Sequence, residues 1–354
     1  MSKTPPLFPL VSRTQAEVIA EAETVLSAIA GMINEVPAED VVVQPEIQLG
    51  IGTTSLVYCS HLVEPPGVAI REYVTQVSAD VPESVGTKQE FNQAVEEFCK
   101  TNVDKLRRAV SASAEMTYSF ELPQLRAGRR LWKRWANISA AYVVLKGLEL
   151  GDKRPGVLFV NHSLLPDIEE MNLVVAGERA LHDKYLSALL SLLHFARARD
   201  IVVIGIAERF ENTSLIEFAD SRAGKKTGAS ILTRPSSLFG NDYILLNGCD
   251  IDDEARPVST RTRLFPDRIM RGPKPLLKVD FTDSTLDPTL RSELQEVGVI
   301  YLRSSRDGPY VRAEFFGGME GLNMSLWKRA ASALDQGYVL RDSTLPKCLT
   351  PHER

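Results

Sequence analysis

A strand–helix–strand pattern between Pro155 and Arg209 constrains the fold of this chain more than any other sequence feature. The apolar run Val157–Val160 predicts a buried strand, and a helical pattern follows from about Gly177 to Arg199. A second apolar run, Ile201–Ile206, predicts the next strand. Two such strands lie parallel, so their carboxyl ends meet at one edge of a sheet, where α/β proteins keep their chemistry. The residues that follow each strand therefore decide which chemistry is available.

The rest of the chain predicts further strands and helices around this unit. Strands are predicted at 41–43, 53–63, 68–77, 276–281, 298–303 and 311–316, and the main helices at 14–33, 88–113, 131–150 and 324–334. We therefore predict an α/β fold, a mixed sheet flanked by helices. Residues 1–12 are predicted to be a flexible tail, and residues 13–354 a single domain with a helical insertion at about 85–150.

Composition places the chain among ordinary globular proteins of the cytoplasm. Of its 354 residues, 44% are hydrophobic and 25% are charged, and the net charge of −5 excludes a global basic field. The four cysteines are far apart and form no CxxC pair, which is typical of reduced thiols. The N-terminus has no apolar signal segment, and no run approaches the about 18 apolar residues of a membrane span. We predict a cytoplasmic location and no membrane contact.

Two predicted strand-to-turn junctions, Gly50–Ser55 and Val160–Leu164, resemble each other. In two-metal nucleases, carboxylates at such strand ends hold Mg²⁺ or Mn²⁺ about 4 Å apart, and hard divalent cations require oxygen ligands. Here Ile51 offers no ligand, and Asn161 offers only a neutral carbonyl oxygen. Taken alone, each junction is typical of a structural turn rather than of a catalytic site.

Short motifs along the whole chain carry a family resemblance. Residues 157–164 match a strand ending in Asp-Gly-Ser-Leu, with Asn161 in place of Asp and His162 in place of Gly. Residues 201–209 match the strand that follows, with Glu208 where Lys is usual. Three later segments agree in order: 241–246, 311–315 and 345–352. From about residue 14 to residue 352 the chain resembles the NurA family of DNA-end-processing nucleases.

This resemblance implies an RNase H-like core, a homodimer, and a hexameric HerA-type ATPase as the partner that pushes DNA ends into a channel. It also implies that aspartates hold Mn²⁺ or Mg²⁺ for phosphodiester hydrolysis, with a tail histidine assisting. The two aspartate positions fall at Ile51 and Asn161, so the chain is predicted to be a divergent member with substituted metal-ligand positions. Losing a carboxylate should sharply weaken divalent-ion binding, because Mg²⁺ sites rely on only one or two of them.

Other acidic residues could replace the missing ligands. The candidate metal ligands are Glu46, Glu208 and Asp242, and the candidate catalytic residues are Asn161, Glu208, Asp242 and His352. Glu208 follows the second strand of the opening unit, and His352 matches the tail histidine of the family. The alternative is structural: a glutamate at a strand end is usually solvated or paired, and a tail histidine is usually a surface group.

Local basic clusters favour phosphate binding in a chain that is acidic overall. Arg129, Arg130, Lys133 and Arg134 alternate with Trp132 and Trp135 on a predicted helix, and Lys225 and Lys226 lie on a Gly-containing loop. Cations beside aromatic rings suit a nucleic-acid strand with stacked bases. The alternative for each cluster is a solvated charged face.

Two hypotheses follow. In the favoured one, the chain is a catalytically weakened NurA-like module that binds DNA and a HerA-type motor and needs no cofactor. In the other, it is an active Mn²⁺- or Mg²⁺-dependent 5′–3′ exo/endonuclease with a rearranged carboxylate site. The sequence contains no P-loop, no dinucleotide-binding GxGxxG fingerprint and no GxSxG nucleophile elbow, which argues against those other enzyme classes.

Overall fold

The described part of the molecule, a computed structural model, comprises residues 16–17, 20, 24, 47–60, 67–80, 88–102, 118–119, 124–147, 155–164, 179–207, 210, 216, 239–248, 260–261, 265–266, 297–303, 310–316 and 329. The expectations for the tail 1–12, for strands at 41–43 and 276–281, and for Glu46, Glu208, Lys225, Lys226 and His352 lie outside these residues.

The described strands form one nine-stranded mixed sheet. In chain order they are β1 (Gln48–Ser60), β2 (Gly67–Asp80), β3 (Tyr118–Ser119), β4 (Val157–Val160), β5 (Val202–Ala207), β6 (Thr260–Arg261), β7 (Phe265–Pro266), β8 (Val297–Arg303) and β9 (Val311–Phe316). In space the order is β3-β2-β1-β4-β5-β9-β8-β6, with β7 paired to β8. The predicted mixed α/β sheet is confirmed, and the RNase H-like assignment of its core stays a prediction.

The three central strands are parallel and fully buried where they meet. β4 pairs with β1 on one side and β5 on the other, both in parallel register. Every residue of β4 and β5 is buried. Strands covered on both faces need apolar side chains on both, which explains the unbroken apolar runs that predicted them. Parallel pairing brings the end of β4 beside the end of β5, as the sequence pattern indicated.

Four helices accompany the described sheet: α1 (Lys88–Thr101), α2 (Leu125–Gly147), α3 (Arg179–Arg197) and α4 (Asp242–Gly248). α1 packs on β2, α2 on β1 and β2, and α3 on β5. α2 and α3 also pack against each other, where the rings of Tyr142 and Phe195 meet edge to face at 5.4 Å between centroids. α2 begins six residues before the predicted start at Leu131 and ends close to the predicted end. Helices α1 and α2 fall within the range predicted as a helical insertion.

The predicted turn at Gly50–Ser55 is wrong. β1 runs through these positions without interruption and pairs with β2 from Gln48 to Ser60, with one irregularity between Leu56 and Val57. Glycine inside a strand costs only about 0.5–1 kcal/mol. Here β1 is paired with β2 along its length and with β4 over its first residues, and this pairing outweighs the local preference of Gly50 and Gly52 for a turn.

Helix α3 ends in a Schellman turn formed without glycine. Asp200 has a φ of 57°, in the left-handed region. The N–H of Ile201 donates to the carbonyl oxygen of Ala196 at 2.9 Å, and the N–H of Asp200 donates to that of Arg197 at 3.0 Å. These two bonds satisfy helix-end carbonyls and aim the chain into β5.

Arg329 ties this helix end to the start of β4. Its guanidinium donates to the Asp200 carboxylate at 2.7 Å and to the Asp200 carbonyl oxygen at 2.8 Å. A further bond of 3.2 Å reaches the carbonyl oxygen of Gly156. Arg329 thus connects the start of β4 with the start of β5, at the edge of the sheet opposite the carboxyl edge.

The left-handed conformation of Asp200 makes the stability of the chain sensitive to this position. Asp200→Gly should raise the free energy of unfolding by up to about 1 kcal/mol, because glycine adopts this conformation without a Cβ penalty. Asp200→Val should lower it by about 1–2 kcal/mol. The Asp200 side chain is 91% exposed, so its ion pair with Arg329 contributes little to the free energy of unfolding. Urea denaturation should rank the stability of the proteins with Gly, Asp and Val at position 200 in that order, from highest to lowest. A valine variant as stable as the glycine variant would contradict the left-handed conformation of this residue.

Candidate functional site at the carboxyl edge of the parallel strands

The segment Asn161–Leu164, here called the strand-end segment, leaves β4 at the carboxyl edge of the sheet. Parallel pairing sets Ile51 opposite Val160, and the N–H of Asn161 donates to the carbonyl oxygen of Ile51 at 3.2 Å. Ile51 is 0% exposed, and Asn161 is partly buried. The two positions compared in the sequence are therefore neighbours in space. Neither of them carries a charge.

Side chains from two helices hold the carbonyl groups of the strand-end segment. Arg134 of α2 donates through Nη1 to the Ser163 carbonyl oxygen at 2.8 Å. The hydroxyl of Tyr185 in α3 donates to the Leu164 carbonyl oxygen at 2.5 Å. The His162 ring adds a contact of 2.8 Å from Nδ1 to the same Ser163 oxygen. Because this oxygen can only accept, the neutral ring carries its proton on Nδ1.

Gly205 of β5 gives the strand-end segment room to fold over the sheet. A Cβ at this position would lie 2.6 Å from Leu164 Cγ and 2.7 Å from the His162 carbonyl oxygen. Real Cβ atoms do not approach backbone this closely, so the close contact requires glycine.

Burial, and to a smaller extent the nearby Arg134 guanidinium, lower the pKa of His162 from 6.5 to about 3, although the hydrogen bond to the Ser163 carbonyl acts to raise it. The ring is therefore neutral near pH 7. Its Nε2 is buried and has no hydrogen-bond partner among the described residues. A neutral ring with a free lone pair can accept a hydrogen bond but cannot supply positive charge to a phosphate.

The lowered pKa of His162 predicts acid sensitivity. The unfolded ring titrates near 6.5 and the folded ring near 3, so between these values the unfolded state binds more protons. Stability from the neutral ring is fully present above pH 6.5 and is lost as pH falls from 6.5 towards 3, by at most about 1.4 kcal/mol per pH unit. Urea denaturation at several pH values should show a shallower slope for His162→Gln. The exposed His194→Gln is the control; equal slopes in all three proteins would refute this prediction.

Behind the strand-end segment lies a chain of hydrogen bonds, the buried polar network, formed by Ser163, Glu314, Arg312, Tyr301 and Asp242. The Ser163 hydroxyl lies 2.7 Å from each Glu314 carboxylate oxygen. Arg312 Nε donates to Glu314 Oε1 at 2.6 Å, and both side chains are 0% exposed. Arg312 and Glu314 are two residues apart on β9, so they lie on the same face of the sheet.

The network continues to α4. Arg312 Nη1 donates to the Tyr301 hydroxyl at 2.9 Å, and that hydroxyl donates to Asp242 Oδ2 at 2.5 Å. Asp242 Oδ1 accepts the N–H of Ile216 at 2.9 Å. Both oxygens of Asp242, the candidate ligand and catalytic residue, are thus held inside the protein. The side chain joins α4 and Ile216 to the sheet.

The described residues at this edge do not form a carboxylate set for Mg²⁺ or Mn²⁺. No group of three or more His, Cys, Asp or Glu side chains that could hold a metal ion occurs in the described part of the chain. Ile51 is apolar, Asn161 is neutral, and the Glu314 carboxylate is already bound by Arg312 and Ser163.

The basic residues of α2 that were predicted to bind nucleic acid differ in their exposure to solvent. Arg129 is exposed, and Arg130, Lys133 and Arg134 are half-buried on α2. Trp132 is 1% exposed, which excludes the base stacking expected of it. It is buried because α2 contacts α3 as well as β1, and its ring meets Trp135 edge to face.

Sequence reasoning missed most of the buried polar network. It identified Asp242, but not Ser163, Glu314, Arg312 or Tyr301 as a connected set. One signal was present: Arg312 and Glu314 alternate with apolar residues in a strand of central type. Charges at i and i+2 of such a strand must share a buried face and need partners there.

No helix in the described ranges is long and apolar enough to cross a membrane.

Comparison with known proteins shows a likeness to solved NurA structures. The NurA nuclease from Sulfolobus solfataricus superposes with a TM-score of 0.41 at 12% identity, over 94% of this chain and 85% of that one. A NurA structure bound to dAMP and manganese gives 0.39 at 9% identity, over 96% and 91%, and a further NurA structure gives 0.35 at 8%, over 87% and 88%. No family model matches the sequence, and no curated protein matches it. With identities of 8–12% and TM-scores below 0.5, these likenesses say nothing of the activity of this chain.

Proposed function

We propose that this chain is a NurA-like DNA-processing protein whose catalysis is weakened and that binds DNA ends and a motor partner. In this proposal it is a cytoplasmic homodimer, built on a single RNase H-like domain, that works with a hexameric HerA-type ATPase. The motif order from residue 14 to residue 352 supports the family assignment. The described residues support the weakened catalysis.

The observation that carries the proposal is the backbone hydrogen bond between Asn161 and Ile51. These are the positions that the resemblance assigns to metal-binding aspartates, and the N–H of Asn161, the residue after β4, donates to the carbonyl oxygen of Ile51 in β1. A buried isoleucine and a neutral amide provide no negative charge there. Since Mg²⁺ and Mn²⁺ bind through charged oxygen ligands, a site without these two carboxylates should hold the ion weakly.

The residues of the carboxyl edge hold the strand-end segment in place without a metal. Arg134, Tyr185 and Glu314 fix the strand-end segment from three directions. A segment fixed in this way presents Asn161 in a constant position, and binding to a rigid surface costs less conformational entropy than binding to a loose one. Such a surface suits holding a DNA end rather than cutting it.

Incubation with linear single- and double-stranded DNA and Mn²⁺ tests the proposal. The wild type should bind both substrates and cut neither efficiently. The double variant Ile51→Asp/Asn161→Asp should gain Mn²⁺ affinity by calorimetry and gain cleavage. Because a carboxylate at buried position 51 can itself unfold the chain, Asn161→Asp alone is measured beside it, and the thermal stability of each variant is checked. A wild type that binds no DNA would overturn the proposal.

A second candidate is an active Mn²⁺- or Mg²⁺-dependent 5′–3′ exo/endonuclease with a rearranged carboxylate site. One observation favours it: β5 is the parallel neighbour of β4, and Glu208 follows directly after Ala207, the last residue of β5. With Glu46, Asp242 and His352, this residue would supply the replacement site. Robust cleavage by the wild type that Glu208→Ala abolishes would establish this candidate and exclude the weakened one.

The motor partner and the dimer are tested separately from catalysis. Sedimentation velocity of the purified chain should give the mass of a dimer. Mixing it with a hexameric HerA-type ATPase should give a larger complex whose ATPase rate rises with DNA ends. A monomeric chain that forms no complex would remove both partners from the proposal and leave DNA binding to be judged by itself.

A further inference from the structure

Helix α2 has an unusual charge for a chain with more acidic than basic residues. The chain has 46 acidic and 41 basic side chains, yet the 23 residues of α2 include no acid. Its cations are Arg126, Arg129, Arg130, Lys133, Arg134 and Lys146. The first turn has no acid to offset the positive end of the helix dipole. Positive potential therefore accumulates over the first half of the helix.

Three of these cations lie in one line and make no ion pair within the described part of the chain. Arg126, Arg129 and Lys133 are spaced i, i+3 and i+7, so they share one face over two turns. Arg126 and Arg129 are exposed, Lys133 is half-buried, and none of the three forms an ion pair with another described residue. Burial, and then the charge of Arg129, lower the pKa of Lys133. We call these three residues the basic stripe.

Arg134 belongs to the same charged half of α2 but has a different role. Its guanidinium donates to the Ser163 carbonyl oxygen, so it is committed to the strand-end segment. Arg134 directly follows Lys133, the last cation of the stripe. The stripe therefore ends one residue before the helix position that holds the strand-end segment. Beyond it the same face continues into Asn137, Ala140 and Val144, which are buried.

We propose that the basic stripe contacts the backbone phosphates of one nucleic-acid strand without reading its bases and guides that strand to the strand-end segment. Arg134 is a positioning residue of that segment and not a phosphate contact. This inference rests on the proposed DNA-binding function and names the residues and the part of the nucleic acid involved.

The dimensions and surroundings of the stripe favour a phosphate backbone. From Arg126 to Lys133 the helix rises about 10 Å. That length covers about three axial spacings of about 3.4 Å, so it spans about four successive phosphates of one strand. Base stacking is not available, because Trp132 is buried and Lys184 lies over the Trp135 ring at 5.7 Å. A membrane surface would need exposed apolar residues beside the cations, but the neighbouring Leu131 is buried as well.

The salt dependence of binding tests the inference. Fluorescence anisotropy with labelled oligo(dT) and oligo(dA) is measured for the full-length wild type and for Arg126→Gln/Arg129→Gln. Each phosphate contact contributes about 0.7 to the slope of log affinity against log salt for a single strand. The double variant should lower the slope by about 1.4 and the affinity by about 25-fold at 0.1 M salt. Oligo(dT) and oligo(dA) should bind equally.

The matched control removes the same charge elsewhere. Lys100→Gln/Lys146→Gln eliminates two exposed cations outside the stripe and should leave the slope unchanged and the affinity within about twofold. The proposal for the stripe would be overturned if both double variants lost the same affinity for the oligonucleotide. It would also be overturned if a polyglutamate peptide competed for the protein as effectively as the oligonucleotide does. If the wild type binds no oligonucleotide, the proposed function fails as well. If the wild type binds and the stripe variant is unaffected, the stripe alone fails.

Arg134→Gln separates positioning from phosphate binding. We expect the salt slope to stay at the wild-type value, because this guanidinium contacts no phosphate. Amide hydrogen exchange of the strand-end segment should accelerate by at least about tenfold, whereas the stripe variant should leave that exchange unchanged. A lower salt slope in Arg134→Gln with unchanged exchange would reassign this residue to the phosphate path and overturn its positioning role.

Discussion

Replacing Glu314 with Gln is expected to lower the free energy of unfolding by about 3–5 kcal/mol. The change preserves the shape of the side chain but removes its charge, so the ion pair between Arg312 and Glu314, two side chains that are 0% exposed, is lost. Losing the carboxylate beside a buried guanidinium is costly because the protein interior cannot replace its hydration. The Ser163 hydroxyl, which lies 2.7 Å from both carboxylate oxygens, would also lose its charged acceptor.

Urea denaturation measures this loss, and a double-mutant cycle with Arg312→Met separates the pair from its surroundings. The variant with both substitutions should lose less free energy of unfolding than the sum of the losses in the two single variants, because it removes both charges of the pair and not just one. Glu96→Gln is the matched control: its ion pair with Lys100 is 72% and 78% exposed and should contribute at most about 0.5 kcal/mol. A loss below about 1 kcal/mol for Glu314→Gln would show that the buried pair contributes no more than a surface one.

Adding one methyl group at position 205 should be almost as damaging. Gly205→Ala places a Cβ within 2.7 Å of the His162 carbonyl oxygen, which is backbone and cannot rotate away. Either β5 or the strand-end segment has to move, and overpacking of this kind costs typically about 1–3 kcal/mol. Displacing the segment would also break the Arg134 and Tyr185 bonds to its carbonyl groups.

Thermal unfolding and hydrogen exchange of the strand-end segment check this prediction together. Gly240→Ala is the control, since its Cβ would meet only Ile244 Cδ1, at an ordinary 3.9 Å. We expect Gly240→Ala to leave both measurements close to the wild type. If Gly205→Ala matched this control, the close approach of the segment to β5 would be refuted.

The sequence predicted the parts of the fold that depend on strong local periodicity. β4, α3 and β5 lie within one or two residues of the predicted positions, because unbroken apolar runs and a clear helical period mark them. β9 also lies at its predicted position, which an alternation of charged and apolar residues marks. The continuity of β1 was missed, because Gly50 and Gly52 favour a turn locally and only the pairing with β2 and β4 overrides that preference.

The candidate site was predictable only in part. The closeness of Ile51 and Asn161 was implied only by the family resemblance, because the parallel pair predicted from the sequence was β4 with β5 and not β1 with β4. The bond between Ser163 and Glu314 spans 151 residues, and no local pattern reports such a distance. For the same reason the burial of Trp132 was missed: its helical position suited an exposed stacking surface, and only the packing of α2 between α3 and β1 buries it.

The buried polar network also sets an order of events during synthesis of the chain. Ser163 leaves the ribosome long before Tyr301, Arg312 and Glu314, and the Arg329 bonds to Gly156 and Asp200 come later still. Until β8 and β9 are made, the edge of β5 is open and the strand-end segment lacks its anchor. Contacts this distant in sequence close slowly. A nascent chain should therefore acquire its carboxyl-edge surface only when nearly the whole polypeptide has emerged.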